Sequence, residues 1–150
     1  MNAQRFGLDF HHLGMAVRDP MPAFAFLAGM GYQHNDSIFD PLQGVNLSLC
    51  LHAFMPDMEL IWPGTTASPI DRILEHSDAA IYHLCYTSAD PLASLAAIER
   101  EGLDIIEVSP PTPARLFSGN KVSFHCIAGF GLIEILECSP ASAHPAVLAA

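Results

Sequence analysis

Positive charge is the scarcest thing in this chain. Five Arg and one Lys face sixteen Asp and Glu among 150 residues, for a formal net charge of −10. A surface with that balance repels phosphate backbones and anionic headgroups, which argues against nucleic acid and membrane as partners. Long apolar runs are also missing. None approaches the roughly 18 residues that a membrane-spanning helix needs, and the opening Met-Asn-Ala-Gln-Arg-Phe-Gly lacks the apolar core of a secretory signal. The expectation is a cytoplasmic protein. Cysteine is sparse and unpatterned. Cys50, Cys85, Cys126 and Cys138 sit in or beside apolar runs, with neither a C-x-x-C pair nor zinc-finger spacing, and read as small buried hydrophobes in a reducing compartment.

What is present is a repeat. His12-Leu13 through Asp19-Pro20 to Gly31-Tyr32 aligns without a gap on His83-Leu84 through Asp90-Pro91 to Gly102-Leu103, at a constant offset of 71 residues. A second pair, Glu59 in Met-Glu-Leu-Ile and Glu134 in Leu-Ile-Glu-Ile, falls at an offset of 75. Each half carries one histidine near its start and one glutamate near its end, all inside apolar runs of strand type. Self-similarity of this kind dictates architecture before any local reading.

Along the first half, 10–17 reads as a strand. Asp19-Pro20 opens a helix as N-cap acid and first-turn proline, and Gly29 and Gly31 end it. Strands follow at 32–39, 45–51 and 58–62. A linker at about 65–79 carries a short helix at 70–76. The second half repeats the order: strand 81–87, a helix from Asp90-Pro91 to Gly102, then strands 104–108, 122–127 and 131–138. The proline-rich stretch 109–120 reads as a long loop, with Pro110 to Pro113 placed to cover a ligand site, and the tail 139–150 as frayed. Neither half closes a core alone. The predicted class is therefore α+β: one unit over 1–150 made of two tandem βαβββ modules, about 8–64 and 80–138. Their sheets join into a curved mixed trough with the helices outside. The trough is where a ligand belongs.

Strand alternation tests whether the four repeated residues face that trough. Bulky Leu13, Met15 and Val17 belong under the helix, which turns His12 inward and His11 away, since adjacent residues of a regular strand oppose each other. The same alternation opposes Tyr82, Leu84 and Tyr86 to His83. A glutamate in mid-strand among apolar residues is costly unless a cation or donor compensates it, and two at matched positions share that cost. A divalent cation held by His12, Glu59, His83 and Glu134 accounts for all four, and a mixed nitrogen–oxygen set suits Ni, Co, Zn, Mn or Fe. His52 and His125, which have no repeat partner, read as core or as outer partners of the site.

The chain resembles the vicinal oxygen chelate superfamily, in the branch of glyoxalase I and methylmalonyl-CoA epimerase. The segments that carry the resemblance are His11-His12-Leu-Gly-Met-Ala-Val-Arg-Asp, Asp40-Pro-Leu-Gln-Gly-Val, Glu59-Leu-Ile-Trp-Pro, Ser68-Pro-Ile, Tyr82-His83-Leu-Cys-Tyr and Gly131-Leu-Ile-Glu134. The resemblance implies a homodimer, a divalent metal on the same four residues, and a lyase or isomerase acting by proton transfer on a small carbonyl or thioester substrate. It makes Glu134 the catalytic base, with Glu59 as the symmetric alternative. Some epimerases place an additional carboxylate soon after the Gln-Gly-Val segment. Asn46, Leu47 and Ser48 supply none here, which favours a single glutamate shuttling a proton between neighbouring carbons. Arg115, Lys121, Phe117, Gln43 and Ser48 are the expected substrate-binding residues, with Trp62 as a further apolar surface. Two other activities of the superfamily stand as alternatives: metal-free sequestration of drugs such as bleomycin, which needs no ligands, and iron-dependent extradiol-type ring cleavage, which uses two histidines and one glutamate.

Overall fold

The structure, a computed structural model, describes residues 4–139; the tail from 140 onward lies outside the described residues. Its elements run β1 (Asp9–Val17), α1 (Pro20–Gly29), β2 (Gln33–His34), β3 (Ile38–Asp40), β4 (Val45–Leu51) and β5 (Asp57–Pro63). After a one-turn helix α2 (Asp71–Leu74) come β6 (Ala79–Ser88), α3 (Pro91–Arg100), β7 (Ile105–Pro113), a 3₁₀ turn (Arg115–Phe117), β8 (Lys121–Ile127) and β9 (Gly131–Glu137). Two βαβββ sets share one mixed sheet in the order β2-β4-β5-β1-β6-β9-β8-β7, with β3 also on β4. Among the described residues no helix is long and apolar enough to cross a membrane.

The local causes are those the sequence offers. Asp19 stands extended before α1 and accepts a hydrogen bond from the Met21 amide at 3.0 Å. Asp90 does the same for the Ala93 amide at 3.0 Å before α3, and proline follows each cap. Such caps are typically worth about 1 kcal/mol each. Gly31 and Gly102 then take the left-handed backbone, at φ +92° and +79°, that lets each helix stop.

Alternation divides the sheet into two faces. Val17, Leu27, Cys50 and Leu60 pack together under α1, with Met15, Met58 and Trp62 against them. On the opposite face Ala16, Val45, Leu47 and Ile61 form one cluster, and Cys85, Val122, Phe124 and Leu136 form another. The concave face is thus lined from both halves. At its centre β1 runs parallel to β5 and antiparallel to β6, and β6 runs parallel to β9. These four adjacent strands carry Glu59, His12, His83 and Glu134, one residue each.

Three expected elements differ. The strand at 32–39 is broken into β2 and β3, because Asn35 turns its side chain onto β4, accepting from the Leu49 amide and the Ser48 hydroxyl. The helix at 70–76 is only one turn long. The loop at 109–120 begins instead as strand, because β7 is an edge strand with β8 as its one neighbour. Pro110 and Pro111 fall in the register gap between the Ser109–Phe124 and Thr112–Val122 pairs, where a missing amide hydrogen costs the sheet nothing.

Candidate metal centre

Four buried side chains converge on the midline of the trough. His12, Glu59, His83 and Glu134 are each at most 3% exposed. His12 Nε2 lies 3.4 Å from His83 Nε2, 3.6 Å from Glu59 Oε2 and 3.7 Å from Glu134 Oε1. His83 Nε2 lies 3.9 Å from Glu59 Oε1 and 3.8 Å from Glu134 Oε1. Ligand atoms about 2.1 Å from a shared cation sit roughly 3 to 3.5 Å apart, so this set is slightly expanded around a common point. Only the His12–His83 pair comes within hydrogen-bonding distance, and at 3.4 Å that contact is long.

The electrostatics show what such a cluster calls for. Burial raises Glu59 well above the ordinary carboxylate range, and the Glu134 and Asp40 charges push it further. Burial lifts Glu134 to about 7, against the Cys85 thiol, which donates toward it. The histidines move the other way. Burial drives His12 down to about 2, helped by His83 and His11, and His83 down to about 3. Among the described residues no Lys or Arg pairs with the carboxylates these neutral imidazoles face, and none gives buried Glu134 Oε1 a hydrogen bond. Breaking a buried ion pair to leave such a charge alone costs about 3–5 kcal/mol. A divalent cation fits: it would satisfy the orphan oxygen, neutralise both carboxylates and use the Nε2 lone pairs.

The two histidines are seated differently. Gly14 lies across from His83 in the β1–β6 ladder, and a Cβ added there would run into the His83 ring. The bare glycine is the floor on which that ring lies, and Tyr82 and Phe124 wall it in at centroid distances of 5.1 and 5.3 Å. His12 instead lies across from Cys85, and Phe117 stacks on its ring at 5.6 Å and 23°.

Two neighbours were misassigned by strict alternation. The ladder skips His11, pairing Phe10 with Tyr86 and His12 with Cys85; it also skips Tyr82, pairing Gly14 with His83 and Met15 with Ile81. Each skipped residue is a bulge, and the two stand at the same offset as the histidines they precede. The bulges turn both rings inward: His11 Nδ1 is 2.8 Å from His12 Nδ1, and Tyr82 packs on His83. His11 does not face away, and Tyr82 does not oppose His83. Sequence offers a trace of this only in retrospect, as a polar or aromatic residue ahead of each repeated histidine.

The expected substrate contacts scatter. Gln43 lines a cleft of about 400 Å³ with Leu42, Thr66, Ser109, Tyr82 and Phe124, the last two being the rings that flank His83. Phe117 is at the site, covering both His12 and His11. Arg115 donates from Nη1 to the Phe39 carbonyl at 3.1 Å, which ties the 3₁₀ turn to the other half of the sheet. Lys121 is exposed beside Asp90, Glu107 and Glu137 on the α3 side. Ser48 is buried on the α1 side, donating to the Asn35 carbonyl at 3.0 Å. Trp62 packs against Phe24 of α1, His125 faces Ser123 at 2.9 Å, and His52 Nδ1 caps a turn by accepting from the Phe54 and Met55 amides. Pro111 lines the cleft on the α3 side, not the mouth beside Gln43.

Comparison with known proteins agrees with this architecture. Residues 11–124 match the family described as the glyoxalase/bleomycin resistance protein/dioxygenase superfamily. Among solved structures, the methylmalonyl-CoA epimerase from Mycobacterium tuberculosis superposes with a TM-score of 0.73 at 22% identity, over 94% of this chain and 95% of that one. A hypothetical protein from Bacillus halodurans gives 0.73 at 21% identity, over 88% and 95%. A methylmalonyl-CoA epimerase from Streptomyces coelicolor, in complex with 2-nitronate-propionyl-CoA, gives 0.66 at 19% identity, over 87% and 96%. No curated protein sequence matches significantly.

Proposed function

The chain belongs to the glyoxalase/bleomycin resistance protein/dioxygenase superfamily, and on that premise we propose that it is a divalent-metal-dependent lyase or isomerase. Its reaction would be proton transfer next to a carbonyl or thioester through an enolate or enediolate. The observation that carries the reading is the convergence of His12, Glu59, His83 and Glu134 from four adjacent strands on one buried point that, among the described residues, no Lys or Arg neutralises. A metal bound there would polarise the substrate carbonyl and stabilise negative charge developing on its oxygen.

The protein's own part is to hold and move one proton. Glu134 is the proposed base. Its Oε1 has no hydrogen-bond partner among the described residues to release before it takes a proton. Glu59 sits deeper in like charge, beside Glu134 and Asp40, and is assigned to holding the cation. Phe117 excludes water from the His12 side, so substrate enters from the Gln43 cleft or by displacing that ring. The same reading carries a homodimer and a cytoplasmic location.

The test uses Glu134→Gln. Protein reconstituted with Co, Ni, Zn or Mn is offered methylmalonyl-CoA in deuterated solvent and, separately, the methylglyoxal–glutathione adduct. Wild type should exchange or convert one of them, whereas the variant should retain bound metal and lose turnover by at least about 10³-fold, since it has lost its proton-transfer group. Undiminished turnover in the variant would remove Glu134 from the chemistry.

A further inference from the structure

The bulge at His11 produces a contact that the repeat does not duplicate. Its Nδ1 lies 2.8 Å from Nδ1 of His12, so one nitrogen must carry a proton and the other a lone pair. The other nitrogen of His12, Nε2, is the one that faces Glu59, Glu134 and His83. A neutral imidazole has one proton to place. If Nε2 is to offer its lone pair to a cation, the proton belongs on Nδ1, and the His11 nitrogen 2.8 Å away stands where it can receive it.

We propose that His11 is a positioning residue, whose Nδ1 accepts a hydrogen bond from the Nδ1–H of His12 and so fixes His12 in the tautomer that presents Nε2 to the metal point. The inference rests on the metal-site reading above. Outer partners of this kind are usually carboxylates, backbone carbonyls or water; here the partner is a second imidazole, delivered by a strand bulge. His83 has no counterpart. Tyr82, the residue at the matching bulge, makes only a T-shaped ring contact at 5.1 Å, and buried His83 Nδ1 has no hydrogen-bond partner among the described residues. The two histidines of the repeat thus differ in kind: one is oriented by a hydrogen bond, the other by packing. Phe117 sets both rings of the bonded pair, lying edge-on to His11 at 5.6 Å and stacked on His12.

The experiment compares wild type with His11→Leu, which removes the acceptor, and His11→Asn, whose amide oxygen can stand near the lost nitrogen. Each is stripped with chelator and titrated with Co(II), reading affinity and the visible ligand-field spectrum. Nitrogen-15 NMR of the zinc-loaded proteins reads the proton on each His12 nitrogen. His11→Leu should weaken metal binding about 10- to 100-fold, the range expected for loss of an outer partner. It should also alter the Co(II) spectrum while the metal-free melting temperature stays near that of wild type. His11→Asn should recover most of the affinity. In wild type the His12 proton should be on Nδ1. Metal affinity within twofold of wild type in His11→Leu would overturn the proposal, as would a His12 proton on Nε2 in the loaded protein or failure of Asn to rescue. These outcomes leave the metal site itself standing. Failure of wild type to bind any divalent ion would overturn the site and His11's role together.

Discussion

The two halves of the trough use one plan to seat two histidines and finish it differently. In the first half His12 is flanked by His11, faces Cys85 across the ladder and lies under Phe117. In the second half His83 is flanked by Tyr82, faces Gly14 and lies against two aromatic rings. Gly14 and Cys85 are themselves repeat partners, two residues beyond each histidine. A duplicated strand therefore fixed the positions, while the side chains around them diverged toward a hydrogen bond on one side and a steric seat on the other. Pseudo-symmetry locates such a cluster, and asymmetry decides how each histidine is held.

The sharpest way to break that comparison is to substitute its matched floor positions. Gly14→Ala places a methyl group where the His83 ring lies, and the packed ring cannot yield without leaving the metal point or parting β1 from β6. It should lower metal affinity by more than 100-fold and cost about 1–3 kcal/mol in stability, as overpacking does, read by titration and by denaturant unfolding. Cys85→Ala, at the equivalent position, should lower affinity by tenfold or less. Equal effects at the two sites would mean that the halves are equivalent after all.

A second comparison sets the two carboxylates against the two histidines through pH. Folding raises Glu134 from an ordinary 4.5 to about 7, so the native state holds its proton more tightly and the group's stability contribution is lost as pH rises through that window. The histidines, lowered from 6.5 to about 2 and about 3, favour the neutral form. Their contribution grows with pH up to the unfolded value of 6.5 and is flat beyond it. Above pH 6.5 only the carboxylate slope is left. The metal-free protein should therefore lose melting temperature between pH 6.5 and 8, and Glu59→Gln combined with Glu134→Gln should remove that loss. A flat or rising profile in metal-free wild type would contradict the unpaired-carboxylate account.

The smallest expected effect is at the cover. Phe117→Ala strips the ring from His12 and His11 but leaves the Arg115 tie to Phe39 in place. It should quicken metal exchange with chelator several-fold while changing equilibrium affinity less than threefold, measured by stopped-flow competition. Unchanged exchange would remove Phe117 as the barrier.

Much of this was legible in the residues. The offset shared by His12 and His83, and the mid-strand positions of Glu59 and Glu134, identify the four central residues, because a charge in an apolar strand must be compensated. The caps at Asp19 and Asp90 and the helix-ending glycines Gly31 and Gly102 mark both helices. What stayed hidden depends on departures from period two. His11 and Tyr82 are turned inward by bulges, which shift register and leave as their only trace a polar or aromatic residue ahead of each repeated histidine. Pro110 and Pro111 read as loop because a proline is excluded from interior strands, yet β7 is an edge. Ser48 and Lys121 look suited to substrate by chemistry alone; their faces are set by alternation along β4 and by the start of β8, and both turn from the trough.

The proposed metal site places four side chains from four adjacent strands around one divalent ion. Equilibrium titration of chelator-stripped protein with Co(II) or Zn(II), with metal content counted per chain, tests it most directly. Wild type should bind one ion per chain, and binding should weaken by at least about 100-fold in both His12→Ala and His83→Ala. Wild-type protein that stays metal-free at micromolar free ion, or binding that survives both substitutions, would contradict it.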